Sequence, residues 1–397
     1  MWTRHGVWLA GGVLALAALG AVRAQVEKGG NVEKAGQVEK AAAGAEPSED
    51  KVPAANDPDK FAWDLFLEIC RPAGAGTRDV RWEMWAEEDN IFADPNTEPR
   101  WPGQKPQRQL RPSRQHELRK LQMPNLKALP DLPGDRAPGG EEVRINRHAF
   151  DYVVKNGLWY QQGVIKTAQA PTGIKFPTDS LAIKALWKVI TPAEKPRYHW
   201  DEYTDPKAKK PVTVGLIALH VTSKVLPNWH WATFEQEDNP AFADEIGAHD
   251  SYGMIPAVVR PNAEPNKGYK TALKPVLLER MKKDGLSPEW THYRLKGAQI
   301  DFTDSTGRPT ILGNSITEAG FVATSSCVTC HARASAMLGG GNPPQWTTLS
   351  VFRPDGQSDN GPVNPNWFWA PGSPTPKFYQ VDFLWELGFR PKYRTAK

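Results

Sequence analysis

The stretch PVTVGLIALHVTSKVLPNWHWATFEQE, residues 211–237, decides the fold. Its first half is β-branched and almost continuously apolar, the pattern of a strand buried on both faces. SKVLPN (223–228) reads as a six-residue turn and WHWATFEQE as the returning strand, so 212–235 predicts a hairpin. If the hairpin pairs 222 with 229, then 220 lies opposite 231. His220 then shares a face with Trp231, and His230 points to the other face.

Outward from the hairpin, LAIKALWKVI (181–190) is compatible with a strand carrying Ile183, Ala185, Trp187 and Val189 on one face and Lys184 and Lys188 on the other. A helix remains open there. THYRLKGAQIDF (291–302) is a further strand candidate, followed by the turn DSTGRP. FAWDLFLEIC (61–70) has helical spacing of apolar residues and ends at Arg71-Pro72. INRHAFDYVVKN (145–156) is a second helix, closed by Asn156-Gly157 as a left-handed cap. The tail NPNWFWAPGSPTPKFYQVDFLWELGFRPKY (364–393) mixes aromatics with Pro and is expected to wrap the domain.

The chain has 36 Pro and 33 Gly among 397 residues, which argues for short elements joined by turns and against a helical bundle. The expected fold class is β-rich α+β: an antiparallel sheet with peripheral short helices and one late attachment helix, in a single domain from 61 to 397. The 16 Trp can fill a large core or wall a pocket for a flat aromatic cofactor.

Residues 1–24, MWTRHGVWLAGGVLALAALGAVRA, have the basic start, apolar run and small-residue end of a secretory signal peptide. The apolar run falls short of the ~20 residues that span a bilayer, so stable membrane insertion is not expected and a periplasmic or otherwise exported location is. Losing Arg4 and Arg23 takes the formal net charge from +4 to +2. That near-neutral balance gives no reason to expect nucleic acid as a partner. Residues 25–58 repeat QVEKGG, NVEKAG, QVEKAA and have too few large apolar groups to offset the entropy of ordering, so they read as a disordered low-complexity tether. Residues 95–140 read as a Pro-rich basic excursion. Its segment 105–127 carries seven Lys/Arg and one Glu, a solvated loop or a docking patch for an acidic partner.

Two of the three Cys fall in SSCVTCHARASAML, residues 325–338. Cys327-x-x-Cys330-His331 is the spacing of a c-type haem: two thiols one helical turn apart add to the two vinyl groups, and the adjoining imidazole reaches the iron. Ser325 or Ser326 can cap the helix, the alternating Ala residues favour it, and Gly339-Gly340-Gly341 stops it. A zinc site would need further ligands, and a redox dithiol would want a thioredoxin-like βαβ setting. One covalent haem c is therefore the expected cofactor, with Cys327 and Cys330 as attachment points and His331 as proximal iron ligand. Cys70 has no partner left and reads as a small buried hydrophobe, with an intermolecular disulfide as the alternative.

No His follows His331, and Met337, about 9 Å along the same helix, stays on the proximal side. A sixth ligand must come from earlier in the chain, and the candidates are His199, His220, His230, His249, His292 and Met254. A lone strand His is commonly a satisfied core residue; the need for a distal partner makes His220 the first candidate. Glu235, Glu237 and Asp238 read as a polar strand end or as a proton donor near the haem. Asn314 and Glu318, four apart, could orient the axial imidazole or form a helix-surface pair.

FAWDLFLEIC, LAIKALWKVI, GLIALHVTSKVLPNWHWATFEQEDN, YRLKGAQ, LGNSITEAG and SSCVTCHARA, in this order, resemble a family of large bacterial mono-haem proteins described as cytochrome c family proteins. The resemblance covers roughly residues 61–390 and implies haem and export without naming a reaction. His220 stands at a position where that family is expected to carry His, and His230 where it carries an aliphatic residue. Ile69-Cys70-Arg71-Pro72 departs from the family's expected Asn-Trp-Pro. A fainter likeness is to the β-sheet haem cytochromes that oxidise hydroxylamine or bind nitric oxide. These also place the motif late and leave the distal side open, and one branch cross-links a Lys to the porphyrin. Neither Lys184 nor Lys188 is matched to that Lys, and the likeness is one of architecture only.

The expected function is redox: electron transfer through one covalent haem, with a redox partner protein or small molecule. The alternative is a haem enzyme or gas sensor with an open distal site.

Overall fold

The computed structural model describes residues 53–397 except 116, 119–138, 206–208, 240–247, 256–257, 260–270 and 396–397. The proposed signal peptide and residues 25–52 of the tether lie outside the described residues. The described residues belong to one compact unit. Among the described residues no helix is long and apolar enough to cross a membrane.

The fold is α+β, built on an open antiparallel sheet. Its strands are β1 (Ala86–Glu87), β2 (Gly140–Ile145), β3 (Leu181–Val189), β4 (Trp200–Thr204), β5 (Pro211–Ser223), β6 (His230–Gln236) and β7 (Tyr293–Gln299). They run in the order β1-β2-β3-β5-β6-β7, and β4 pairs with the end of β5. LAIKALWKVI is thus a strand, not a helix. The β5–β6 register places Thr222 opposite Trp231 and Ser223 opposite His230, two residues from the expected pairing. A shift of two leaves every side chain on its face, so His220 and Trp231 still share one and His230 takes the other.

Each face of this sheet is a core. Ile183, Ala185, Val221, Leu219, Ala232, Phe234 and Leu295 are buried with Trp63 and Phe66 of α1 (Pro58–Ile69). Val189, expected on that face, is 45% exposed at the strand end. Cys70 is fully buried in the same cluster, as a small hydrophobe would be. The opposite face carries Lys184, His220 and Trp231, and Trp231 belongs to a second core with Phe150, Val328 and Trp385.

The helices are short. Asp57 caps α1, its carboxylate accepting Lys60 N–H at 3.0 Å. Asn146 caps α2 (Arg147–Lys155), and Gly157 at φ +66° closes it as the sequence predicts. α3 is Pro275–Lys283, α4 is the motif helix Cys327–Ala332 and α5 is Trp385–Phe389. A small sheet joins β8 (Ser335–Gly341) to β9 (Pro344–Thr347) and β10 (Tyr379–Gln380).

Several expectations need correction. Order begins before Phe61: Pro53–Asn56 is a helical turn, and Ala54 is fully buried. Met337 and the three glycines are not on or just past the motif helix. That helix ends at Ala332, and Ser335 and Ala336 pair with Gln380 and Tyr379, so strand pairing overrides the local preference of the alanines. The basic run is not a free loop over its described part. Lys105 pairs with Asp79 and Asp201, Arg108 with Glu83, Glu142 and Asp201, Arg111 with Asp89, and Arg114 with Glu88. Its remaining cations, Arg119, Lys120 and Lys127, lie outside the described residues.

Candidate functional site

The second core surrounds a cleft between the sheet, the motif helix and the tail. The sheet supplies its floor with Lys184, His220, Thr222 and Trp231; α4 supplies Cys327, Cys330 and His331; the tail supplies Leu384, Trp385, Glu386 and Phe389. Glu318 and Phe321 come from the segment before α4, and Arg114 from the basic excursion.

A six-residue helix cannot hold itself, and tertiary bonds secure both its ends. Ser326 is the cap, accepting Thr329 N–H. Gln299, at the end of β7, accepts Val328 N–H through Oε1 and donates through Nε2 to Ser326 Oγ, both at 3.0 Å. Thr329 Oγ1 donates to the Gly361 carbonyl at 2.7 Å, and Trp385 Nε1 donates to the Cys330 carbonyl at 3.1 Å. Both cysteines and His331 then face the cleft from one turn of helix.

His331 Nδ1 lies 2.8 Å from the backbone carbonyl of Phe383. A carbonyl only accepts, so Nδ1 carries the proton and the Nε2 lone pair is left for a metal. Trp231 packs against the ring, with centroids 4.4 Å apart. Burial lowers the His331 pKa to about 4, with Lys184 acting in the same direction. Burial, followed by Lys184 and His331, holds His220 well below its ordinary value. Both imidazoles are therefore neutral, the form that ligates metals. Burial, with Glu318 and Cys330 adding, raises the Cys327 thiol well above its usual range, and burial raises Cys330. These are protonated thiols.

Of the six candidates for a distal ligand, His220 lines the cleft. His199 stacks on Trp290 in the α1-side core, with centroids 4.5 Å apart. His230 donates to the Pro58 carbonyl at 2.9 Å on that same side, and Met254 is buried there. His292 bonds Glu237, and His249 is exposed in the short strand Ala248–His249. His220 is itself engaged: its Nε2 is 3.2 Å from Thr317 Oγ1 and 3.9 Å from Glu318.

The acidic cluster does not act as a unit. Glu235 binds the Ser315 N–H and hydroxyl, anchoring the segment before the motif. Glu237 pairs with Arg197, Arg294 and His292, and Asp238 with Arg197. Asn314 and Glu318 are joined, Glu318 accepting Asn314 N–H at 2.6 Å, but in a run of turns and beside His220 rather than His331. Orientation of the His331 ring falls instead to Phe383. The sequence reading missed Phe383 because a backbone carbonyl leaves no mark on residue type. It also missed Gln299 and Trp385, whose side chains bond α4 across 27 and 55 residues of chain.

Among the described residues no group of three or more His, Cys, Asp or Glu is arranged to hold a metal ion alone. No protein-family model, curated protein or solved structure matches the chain.

Proposed function

We propose that the chain is an exported electron-transfer protein with one c-type haem, attached through Cys327 and Cys330 and ligated by His331. One observation carries this reading. Both thiols and a neutral imidazole, its Nδ1 proton held by the Phe383 carbonyl, turn from a single short helix into one largely apolar cleft. The residues present fit the group. Each thiol can add its S–H across a vinyl C=C, which consumes no oxidant. Trp231, Phe321, Leu384 and Trp385 offer apolar walls to a flat macrocycle. The bound haem would supply one-electron exchange. The protein's part is to exclude water, hold the His331 tautomer through Phe383 and present His220 as candidate distal ligand. The likeness to the large mono-haem family and the export signal of residues 1–24 belong with this reading. The partner is a redox protein or a small molecule.

The purified mature protein should keep its haem through denaturing electrophoresis and acid–acetone extraction, and Cys327→Ala with Cys330→Ala should abolish attachment. Release of haem while both cysteines are intact overturns the proposal.

The Thr317 contact of His220 favours a second reading, a haem enzyme or gas sensor whose distal side is open. A low-spin spectrum with little carbon monoxide binding supports electron transfer; a high-spin spectrum with ready binding supports the second reading.

A further inference from the structure

Lys184 occupies the middle of β3, between Ile183 and Ala185 of the α1-side core, and points to the opposite face. In register it lies between Val143 of β2 and His220 of β5, and it lines the cleft. Other part-buried or buried lysines of this fold are paired: Lys224 with Asp382, Lys188 with Glu194, Lys105 with Asp201. Among the described residues Lys184 makes no ion pair and no hydrogen bond. Lys184 is half-buried, and its chain reaches into the cleft rather than into the sealed core of the other face.

The three carboxyls that line the cleft, Glu141, Glu318 and Glu386, form no ion pair with Lys184. Glu318 accepts the Asn314 N–H at 2.6 Å, and Glu141 the Arg114 N–H at 3.0 Å. The charge of Lys184 is nonetheless felt on every side. It acts on His220, His331, both motif cysteines, Glu318 and Glu386, which come from four separate segments. The cleft thus has largely apolar walls and, among the described residues, one cation in it without an ion-pair partner.

We propose that the Lys184 ammonium is the seat of an anion bound in this cleft, a carboxylate or a small inorganic anion. The anion has two sources: a free ligand, or a carboxylate of the bound haem itself. The second source, and the spectroscopic test of the first, rest on the haem reading; the seat does not.

Two preparations of the full chain keep these apart. In the haem-loaded protein, with attachment checked by haem staining, azide and neutral imidazole are titrated into wild type, Lys184→Met and Lys184→Arg. A free-anion seat predicts azide binding weakened at least tenfold in Lys184→Met, retained in Lys184→Arg, with imidazole binding unchanged. A haem-carboxylate seat predicts unchanged azide binding and a shifted propionate bending band in the resonance Raman spectrum of Lys184→Met alone. In the full chain produced without haem, anilinonaphthalene sulfonate is compared with neutral N-phenyl-1-naphthylamine, and Lys184→Met should weaken only the sulfonate. Equal binding of the sulfonate by wild type and Lys184→Met, with no azide or Raman difference, overturns the seat. Failure of haem staining in wild type overturns the haem reading and leaves the sulfonate comparison to decide the seat.

Discussion

The carbonyl of Phe383 that receives His331 Nδ1 belongs to a turn in which Asp382 and Phe383 both take left-handed backbone angles, φ +49° and +69°. Such angles are costly for residues with a side chain and persist where the surroundings impose them. The imposing groups meet at one carboxylate. Asp382 accepts Lys224 Nζ at 2.6 Å, Phe176 N–H at 2.6 Å and Trp229 Nε1 at 3.3 Å. Asp382 is a positioning residue: it bonds nothing in the cleft and acts by turning the next carbonyl onto the imidazole.

Asp382→Ala should therefore do two separable things. It leaves Lys224, 5% exposed, with the Pro227 carbonyl but without its counter-charge, at a cost of about 3–5 kcal/mol in urea unfolding. It also frees the Phe383 carbonyl, so under the haem reading the midpoint potential should shift. In Asp382→Ala with Lys224→Met, part of the stability should return while the shifted potential remains. A potential that follows stability back to wild type would show Asp382 to be purely structural.

His220 and His230 sit on opposite faces, so their alanine variants should differ in kind. Under the electron-transfer reading His220→Ala turns the spectrum high-spin and admits carbon monoxide. His230→Ala leaves the spectrum unchanged and lowers stability, because the Pro58 carbonyl loses its donor. A low-spin spectrum in His220→Ala places the distal ligand elsewhere.

His230 also predicts a pH dependence. Burial holds its pKa at about 4, against an ordinary 6.5. Below pH 6.5 the unfolded chain takes up a proton that the folded one refuses. Stability is therefore fully present above 6.5 and falls as pH drops toward 4, by up to about 3 kcal/mol. Asp250 and Glu87, raised by burial to about 6 and about 8, act with the opposite sign and are common to wild type and variant. Unfolding of wild type and His230→Gln at pH 7 and pH 4.5 isolates the histidine: the gap between them should narrow in acid. A constant gap would mean that His230 does not titrate in this window.

Truncation tests where the domain begins. A chain started at Phe61 loses the Asp57 cap, the Pro58 carbonyl that binds His230, and Asp59, which accepts Ala298 N–H and the Ser251 hydroxyl. It should unfold at clearly lower denaturant than a chain started at Pro53. Asp57→Ala alone should cost about 1 kcal/mol. Identical midpoints for the two truncations would show that residues 53–60 are dispensable.

The sequence by itself determined the hairpin, the faces of its strands and the short spacing that sets Cys327, Cys330 and His331 together. These follow from periodicity and from short spacings, which the chain carries locally. That is why His220 and Trp231 fall on the cleft face even though the register differs by two residues. Only the tertiary structure decided which histidine enters the cleft, where the motif helix ends and what orients His331. Each of those depends on a partner far away in sequence. Gln380 and Tyr379 turn Ser335 and Ala336 into a strand, and Phe383 offers a carbonyl 52 residues from His331. Four cations of the basic run went inward for the same reason. A charge is committed to solvent or to an ion pair by the carboxylates that folding brings to it, and Glu83, Glu142 and Asp201 arrive from three different segments.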